Sequence, residues 1–128
     1  MTFDVKIVNC AVGALTGVSP VRPLFKIPTD ALGGGMSVLE AQLVFGLAGT
    51  AGFHLVDLGE DGTAVGVNSG GTIATLASAV YVAQTPKEFT INTPFVDADH
   101  WVGLEEDGSG TVTATYLCSV SMALVQGK

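Results

Sequence analysis

Histidine, cysteine and clustered carboxylates are the residues of this chain that could do chemistry. The 128 residues include two histidines, His54 and His100, and two cysteines, Cys10 and Cys118. The sequence has no Gly-x-Ser-x-Gly elbow and no phosphate-binding glycine loop. A zinc site of the finger type needs more cysteines at short spacing, and strand alternation assigns Cys118 to the core. We therefore predict that the protein is not an enzyme, and we expect no metal and no cofactor.

Calcium is the strongest metal alternative, because carboxylates cluster in the second half of the chain. The cluster consists of Asp97, Asp99, Glu105, Glu106 and Asp107. Hard cations need several oxygen ligands, but Asp97-Ala98-Asp99 lacks the third ligand and the following glycine of a calcium loop. Solvated acidic hairpin tips are therefore the explanation of the cluster that we favour.

A glycan-binding patch is a second interpretation of this region. Trp101 is the only tryptophan, and Asp97, Asp99 and His100 precede it closely. An aromatic ring beside carboxylates can stack on a sugar and bind its hydroxyl groups. Trp101 also begins an alternating strand, so it fits an anchor of the core just as well.

Alternating apolar residues identify the elements that carry these side chains. From Val112 to Leu124 the chain alternates over 13 residues, with mostly Thr, Ser and Ala between the larger side chains. Such period-two alternation predicts a strand with one face in the core. Shorter runs at 5–12, 39–47, 53–58, 88–93 and 101–105 are separated by glycine-rich turn signals. In the run 39–47, the set expected to face the core is Leu39, Ala41, Leu43, Phe45 and Leu47, with Val38, Glu40, Gln42 and Val44 opposite. The pattern predicts one all-β domain over residues 1–128, an antiparallel β-sandwich of jelly-roll type, with a β-tulip or barrel as the alternative.

Two segments depart from the alternation. Residues 18–35 contain Pro20, Pro23 and Pro28, and proline cannot donate a hydrogen bond to a sheet. We expect an edge strand or an extended arm there, lying across a neighbouring subunit or over the chain's own sandwich. Residues 71–84 fit both a helical and a strand pattern, so we expect at most one short helix before a strand.

The composition indicates a protein whose surface is covered by partners. Hydrophobic residues make up 48% of the chain and charged residues only 13%, yet no apolar stretch is long enough to span a membrane. A small domain has much surface for its volume, and a surface poor in charge is usually covered by another protein. The net charge of −7 argues against nucleic-acid binding, which needs a concentrated basic face. We expect an obligate assembly with neither nucleic acid nor membrane as a partner.

Cysteine pairing depends on where the two ends of the chain lie. The N-terminal residues have no basic region followed by a hydrophobic signal core, so we expect synthesis and folding in a reducing cytosol. A disulfide between Cys10 and Cys118 is possible only if the terminal strands are neighbours, and the cytosol disfavours it. Two buried thiols are the simpler expectation.

The chain is a glycine- and alanine-rich β domain that contains the turn Leu32-Gly33-Gly34-Gly35 and the run from Gly110 to Tyr116. In these features it resembles the small auxiliary proteins of tailed-bacteriophage virions, especially head decoration (cement) proteins. The resemblance implies a β-sandwich or β-tulip that trimerises on the outer capsid surface and clamps neighbouring coat subunits. The implied partners are its own copies and the major capsid protein. The implied location is the virion, after synthesis in the host cytoplasm. The alternative function is a receptor- or glycan-binding tip domain of a phage fibre.

The resemblance also implies two contact surfaces. The homotrimer interface would use the outer-facing side chains of the last strand, namely Leu117, Ser119, Ser121, Ala123 and Val125. The capsid contact would use the proline-rich segment, through Val21, Arg22, Leu24, Phe25 and Lys26. The alternative function would use the glycan patch of Asp97, Asp99, His100 and Trp101.

Overall fold

The chain forms two antiparallel β-sheets that pack face to face. The computed structural model describes residues 5–15, 21–45, 49–62, 71–82, 84–106 and 116–127. The strands are β1 (Val5–Leu15), β2 (Val21–Lys26), β3 (Gly35–Phe45), β4 (Gly49–Asp57), β5 (Gly71–Tyr81), β6 (Lys87–Glu88), β7 (Thr90–Ile91), β8 (Phe95–Asp97), β9 (Trp101–Glu106) and β10 (Tyr116–Gln126). Sheet A has the order β1-β10-β3-β6, with β8 also paired to β3, and sheet B has the order β2-β9-β4-β5-β7. This confirms the expected all-β antiparallel sandwich.

The core lies between the sheets, where alternate side chains of both layers meet. Phe45 of β3 and Phe53 of β4 pack with their ring centroids 5.5 Å apart. In β10 the inward residues are Val120, Met122 and Leu124, each buried, as the alternation predicts. Such tilted aromatic pairs and fully covered aliphatic side chains give the sandwich most of its stability.

A β-bulge in β3 reverses the alternation that the sequence suggests. Ala123 of β10 pairs with Glu40, whereas Leu124 pairs with Val38, so Leu39 is an extra residue on the β3 side. Beyond this bulge Val38 points into the core and is 1% exposed, while Leu39 points outward and is 52% exposed. The expectation that Leu39 faces the core is therefore wrong, because one inserted residue moves every later side chain to the opposite face.

The proline-rich segment forms the edge strand of sheet B. β2 pairs with β9, and its register shifts between Pro23 and Phe25, where proline cannot donate to the sheet. Leu24 and Phe25 pack against the core. Of the two expected arrangements, the edge strand is the one observed; this part of the segment is not an arm extended away from its own sandwich.

Residues 71–81 form a strand throughout, so of the two patterns that residues 71–84 fit, the strand is the one observed. β5 pairs with β4 along its length, but the register shifts twice, each time with one more residue in β5 than in β4. The two bulges place neighbours such as Ile73 and Ala74 both in the core, which obscures period-two alternation. Among the described residues, the only helical turn is a 3₁₀ turn at Leu32–Gly34.

The segment around Phe89 closes one side of the sandwich by crossing between the sheets. β6 pairs with β3 and β7 pairs with β5, so the expected single strand over 88–93 is divided between the two layers. Phe89 lies between them, is 6% exposed and donates its backbone N–H to the carbonyl of Ala41.

The other side of the sandwich is closed by β1 and β2. The Lys6 ammonium lies 5.2 Å from the centroid of the Phe25 ring, within the range of a cation–π contact. The Cys10 thiol donates to the Leu24 carbonyl, with Sγ and O 3.6 Å apart. Burial raises the pKa of this thiol, which keeps it protonated at neutral pH.

The terminal strands are neighbours, which is the condition for a disulfide between the two cysteines. In the pairing of β1 with β10, however, Cys10 lies opposite Val120 and Cys118 lies opposite Val12. Cys10 is a free cysteine, whereas the side chain of Cys118 lies outside the described part of the chain.

Candidate functional site

The outer face of sheet A is the first candidate surface, and one end of it carries exposed apolar side chains beside the carboxylate of Glu40. Ile7 of β1 lies beside Ala123 of β10, and the bulged Leu39 of β3 projects from the same face. Val5 is 51% exposed, Ile7 61% and Leu39 52%. These large side chains form what we call the sheet A patch, defined as Val5, Ile7, Leu39 and Val125.

The middle of the same face is polar but uncharged. Asn9, Ser121 and Gln42 are paired in one row across β1, β10 and β3. The Ser121 hydroxyl donates to Oδ1 of Asn9 at 2.7 Å. Short hydroxyl and amide side chains leave this face flat, which suits contact with another flat protein surface.

The predicted trimer interface is only partly accessible on this face. Ser119 is exposed, and Ser121 and Val125 are half-buried. Ala123 is 6% exposed, because its short methyl group lies between the paired residues Ile7 and Glu40. Ala123 therefore offers little area to a partner, contrary to expectation. The side chain of Leu117 lies outside the described residues.

Sequence reasoning missed the main contributors to the sheet A patch. Val5 and Ile7 belong to a strand that alternation identified, but only the pairing of β1 with β10 puts them beside the predicted interface. Leu39 was assigned to the core. A bulge leaves no reliable mark in a single sequence, so nothing in the residue pattern would have corrected that assignment.

A cleft of about 420 Å³ borders the sheet A patch. Val5 lines it together with Leu32 and Met36, while Lys6 and Asp30 contribute charge. At its rim, Oε1 of Gln126 accepts a hydrogen bond from the backbone N–H of Leu32 at 2.6 Å. The cleft extends the apolar surface beyond the sheet.

The predicted capsid-contact residues divide between the interior and the surface. Leu24 and Phe25 are half-buried against the core, and Val21 is also half-buried. Arg22 and Lys26 are exposed. Of the five predicted contact residues, the two cations are therefore the ones most accessible to another protein.

The glycan patch contains a histidine–carboxylate pair that sequence reasoning did not identify. Nδ1 of His100 lies 2.9 Å from Oδ1 and 3.1 Å from Oδ2 of Asp57. Asp57 Oδ1 also accepts the backbone N–H of Gly59 at 2.9 Å. The hydrogen bond with Asp57 raises the pKa of His100, with additional support from the charges of Asp97 and Glu60, while burial opposes it. The protonated imidazole is thus favoured at this end of sheet B.

The other members of the glycan patch are partly engaged with the protein. The Thr29 hydroxyl donates to Asp99, and the Lys26 ammonium lies 3.9 Å from the same carboxylate. Trp101 is half-buried, and a Cβ added to Gly62 would lie 2.9 Å from Cδ1 of the indole. Asp97 is exposed. The residues do lie together, but their own contacts occupy much of their binding capacity.

A second histidine–carboxylate pair lies further along the same two strands. His54 of β4 is paired with Glu105 of β9, and Nδ1 of His54 is 3.6 Å from Oε1 of Glu105. This distance is too long for a hydrogen bond. Nδ1 of His54 is buried without a hydrogen-bond partner among the described residues. One pair links β4 to β9 and the other links β4 to the residue just before β9.

Within the described residues, no group of three or more His, Cys, Asp or Glu side chains could hold a metal ion. No helix in that part of the chain is long and apolar enough to cross a membrane. Comparisons with protein-family models, with curated proteins and with solved structures found no match for this chain.

Proposed function

We propose that the chain is a non-enzymatic structural protein of a virion, a homotrimeric decoration protein that binds the outer capsid surface and stabilises it. The observation that carries this proposal is the sheet A patch. Its exposed valine and isoleucine lie beside the uncharged face of the last strand. The bacteriophage and capsid parts of the proposal rest on the resemblance described above.

The area of the patch supports an association of moderate strength. Complete burial of a Val, Leu or Ile side chain contributes roughly 1.5–3 kcal/mol. Val5, Ile7 and Leu39 are each about half exposed, so covering the three would contribute about 3 kcal/mol per subunit. A trimer adds this contribution at each contact, and repeated weak contacts over a shell add avidity without a catalytic site.

The capsid contact would use charge in addition to apolar area. Arg22 and Lys26 are exposed on β2, and the chain as a whole carries a net charge of −7. On a protein with a net negative charge, these two cations would orient the β2 edge towards an acidic coat surface as the two proteins approach. The major capsid protein is the partner we propose for this edge.

Light scattering after size exclusion tests the oligomer, with Ile7→Lys as the decisive variant. The wild-type mass should be near three times 13.0 kDa, and Ile7→Lys should reduce it because a charge would enter the apolar contact. Thr93→Lys, an exposed position between β7 and β8, is the matched control and should keep the wild-type mass. An unchanged mass for Ile7→Lys would exclude the sheet A patch as the interface.

Cosedimentation tests the capsid part of the proposal. Wild-type protein mixed with expanded, empty heads of a tailed phage should pellet with them, and should not pellet with immature shells. Arg22→Glu combined with Lys26→Glu should weaken pelleting while the oligomer mass stays the same. If the double variant pellets as strongly as wild type, the contact with the coat protein does not depend on Arg22 and Lys26 of β2.

The alternative is a glycan- or receptor-binding tip domain of a phage fibre, centred on Trp101. Partial exposure of Trp101 beside Asp97 and His100 favours it. Glycan-array binding that disappears in Trp101→Ala, with an unchanged oligomer mass, would favour this alternative over the decoration protein.

A further inference from the structure

Within the described residues, the C-terminal end of β5 is an open sheet edge. β7 pairs with β5 only at Ala74 and Thr75, and at residues 79–81 no other described strand pairs with this side of β5. β4 covers the opposite side as far as Tyr81. An open edge presents backbone N–H and C=O groups that can pair with another strand.

Both faces of this strand end are also exposed. Ala77, Ser78, Ala79 and Val80 are exposed at consecutive positions, and consecutive strand residues point to opposite faces. Val80 is 74% exposed and Val82 is 62% exposed. Residues 77–80 of the strand are therefore exposed on both faces. Val80 and Val82, the first residue after β5, carry large apolar side chains into water.

The edge has none of the charges that usually protect such a strand. No Asp, Glu, Lys or Arg occurs from Gly71 to Gln84, and the first proline and the first charge after β5 are Pro86 and Lys87. Natural open edges are commonly protected by lysine, proline or inward-pointing charge. A bulge does occur near Ala77, but it lies before the exposed valines.

We propose that residues 79–81 at the end of β5, which we call the β5 edge, pair antiparallel with the same residues of a second copy of this chain. A two-fold pairing centred on Val80 sets Val80 against its counterpart and Ala79 against Tyr81 of the second copy. The contact is then isologous and joins the two B sheets into one continuous sheet.

Charge favours a second copy as the occupant of this edge. The chain has a net charge of −7, so two copies repel one another over much of their surfaces. The β5 edge brings no charge of its own, and self-pairing opposes no like charges there. A charged foreign strand would find no opposite charge on this segment, whereas the second copy matches it residue for residue.

This inference does not depend on the proposed decoration function. The β5 edge belongs to sheet B, and the sheet A patch belongs to the outer face of the other layer. If the sheet A patch forms a trimer, edge pairing joins two trimers; if the chain is otherwise monomeric, edge pairing gives a dimer.

Light scattering over a wide dilution series tests the pairing. At high protein concentration we expect a wild-type species of twice the mass that remains on dilution. In Val80→Lys we expect this association to be at least about tenfold weaker, because two lysines would face each other across the two-fold axis. Thr93→Lys is the matched control, since Thr93 is exposed and its backbone N–H donates to the carbonyl of Ile73 near the other end of β5, and it should behave as wild type. Equal masses for Val80→Lys and wild type would overturn the proposal.

Cysteine crosslinking provides a test that does not depend on disrupting the contact. Val80→Cys should form a disulfide-linked dimer under mild oxidation, whereas Thr93→Cys should not form one beyond the wild-type level. Equal crosslinking of the two variants, or a foreign strand bound at the edge instead of a second copy, would overturn the pairing. These outcomes differ from a failure of the decoration proposal, which is reported by Ile7→Lys and by capsid cosedimentation.

Discussion

Replacement of Asp57 by asparagine should remove the pH-dependent part of the stability that His100 contributes. The asparagine keeps an oxygen that can accept the Gly59 N–H, as Asp57 Oδ1 does at 2.9 Å. It removes the negative charge that faces Nδ1 of His100 at 2.9 Å. The change therefore separates the charge of this carboxylate from its role in the turn.

The direction of this pH dependence follows from the pKa of His100, which the hydrogen bond with Asp57 raises. Between the ordinary histidine value of about 6.5 and the raised folded value, the native chain binds more protons than the unfolded chain. The stabilisation is fully present below about pH 6.5 and is lost as the pH rises through the folded pKa of His100.

The size of the expected loss in the free energy of unfolding follows from the exposure of the two side chains. His100 and Asp57 are 27% and 24% exposed, between a buried charged pair and a surface ion pair. A hydrogen bond to a charged group contributes about 1.5–3 kcal/mol when sheltered, and an exposed ion pair about 0.2–1 kcal/mol. We expect Asp57→Asn to lower the free energy of unfolding by about 1 kcal/mol at acidic pH, and by much less at alkaline pH.

Urea unfolding at about pH 5.5 and about pH 8.5 measures this difference on either side of the ordinary histidine value. Trp101 is the only tryptophan and is the residue next to His100, so its fluorescence reports the transition. Glu60→Gln is the matched control: it removes a charge that also raises the pKa of His100, but no hydrogen bond to the ring. Equal destabilisation by Asp57→Asn at both pH values would refute the reasoning.

Two further predictions concern packing. Leu124→Ala should lower the free energy of unfolding by about 2–5 kcal/mol because Leu124 is fully buried; Leu32→Ala, which removes the same atoms from an exposed side chain, should cost less than about 0.5 kcal/mol in urea unfolding. Gly62→Ala should destabilise the fold more than Gly59→Ala: both glycines have positive φ, but only at Gly62 would the new Cβ meet Trp101, at 2.9 Å. A shift of the Trp101 emission in Gly62→Ala alone would support this, and equal destabilisation by the two variants would contradict it.

The strand pattern was most informative where pairing is regular. In β10, Val120, Met122 and Leu124 occupy the core as the alternation predicts, because a regular strand turns every second side chain to the same face. The proline spacing in residues 18–35 correctly indicated an edge strand as one of two arrangements. Both inferences depend on local backbone chemistry, which a single sequence contains.

The candidate sites were less predictable because they depend on which strands become neighbours. The glycan patch was identified from adjacent residues, but its strongest polar contact comes from Asp57, more than forty positions earlier in the chain. The sheet A patch likewise unites Ile7 with the far end of the chain through the pairing of β1 with β10. Residue types show what a side chain can do, but not what it will meet.

The sequence by itself determined an all-β chain with a surface poor in charge, since alternation, glycine-rich turns and composition are properties of the residues alone. Only the tertiary structure decided which apolar residues remain exposed. β3 has a bulge at Leu39, and β7 pairs with β5 only at Ala74 and Thr75. Both features arise from fitting two twisted sheets together. One extra residue in a strand reverses the faces of all that follow it, and that choice is made by packing.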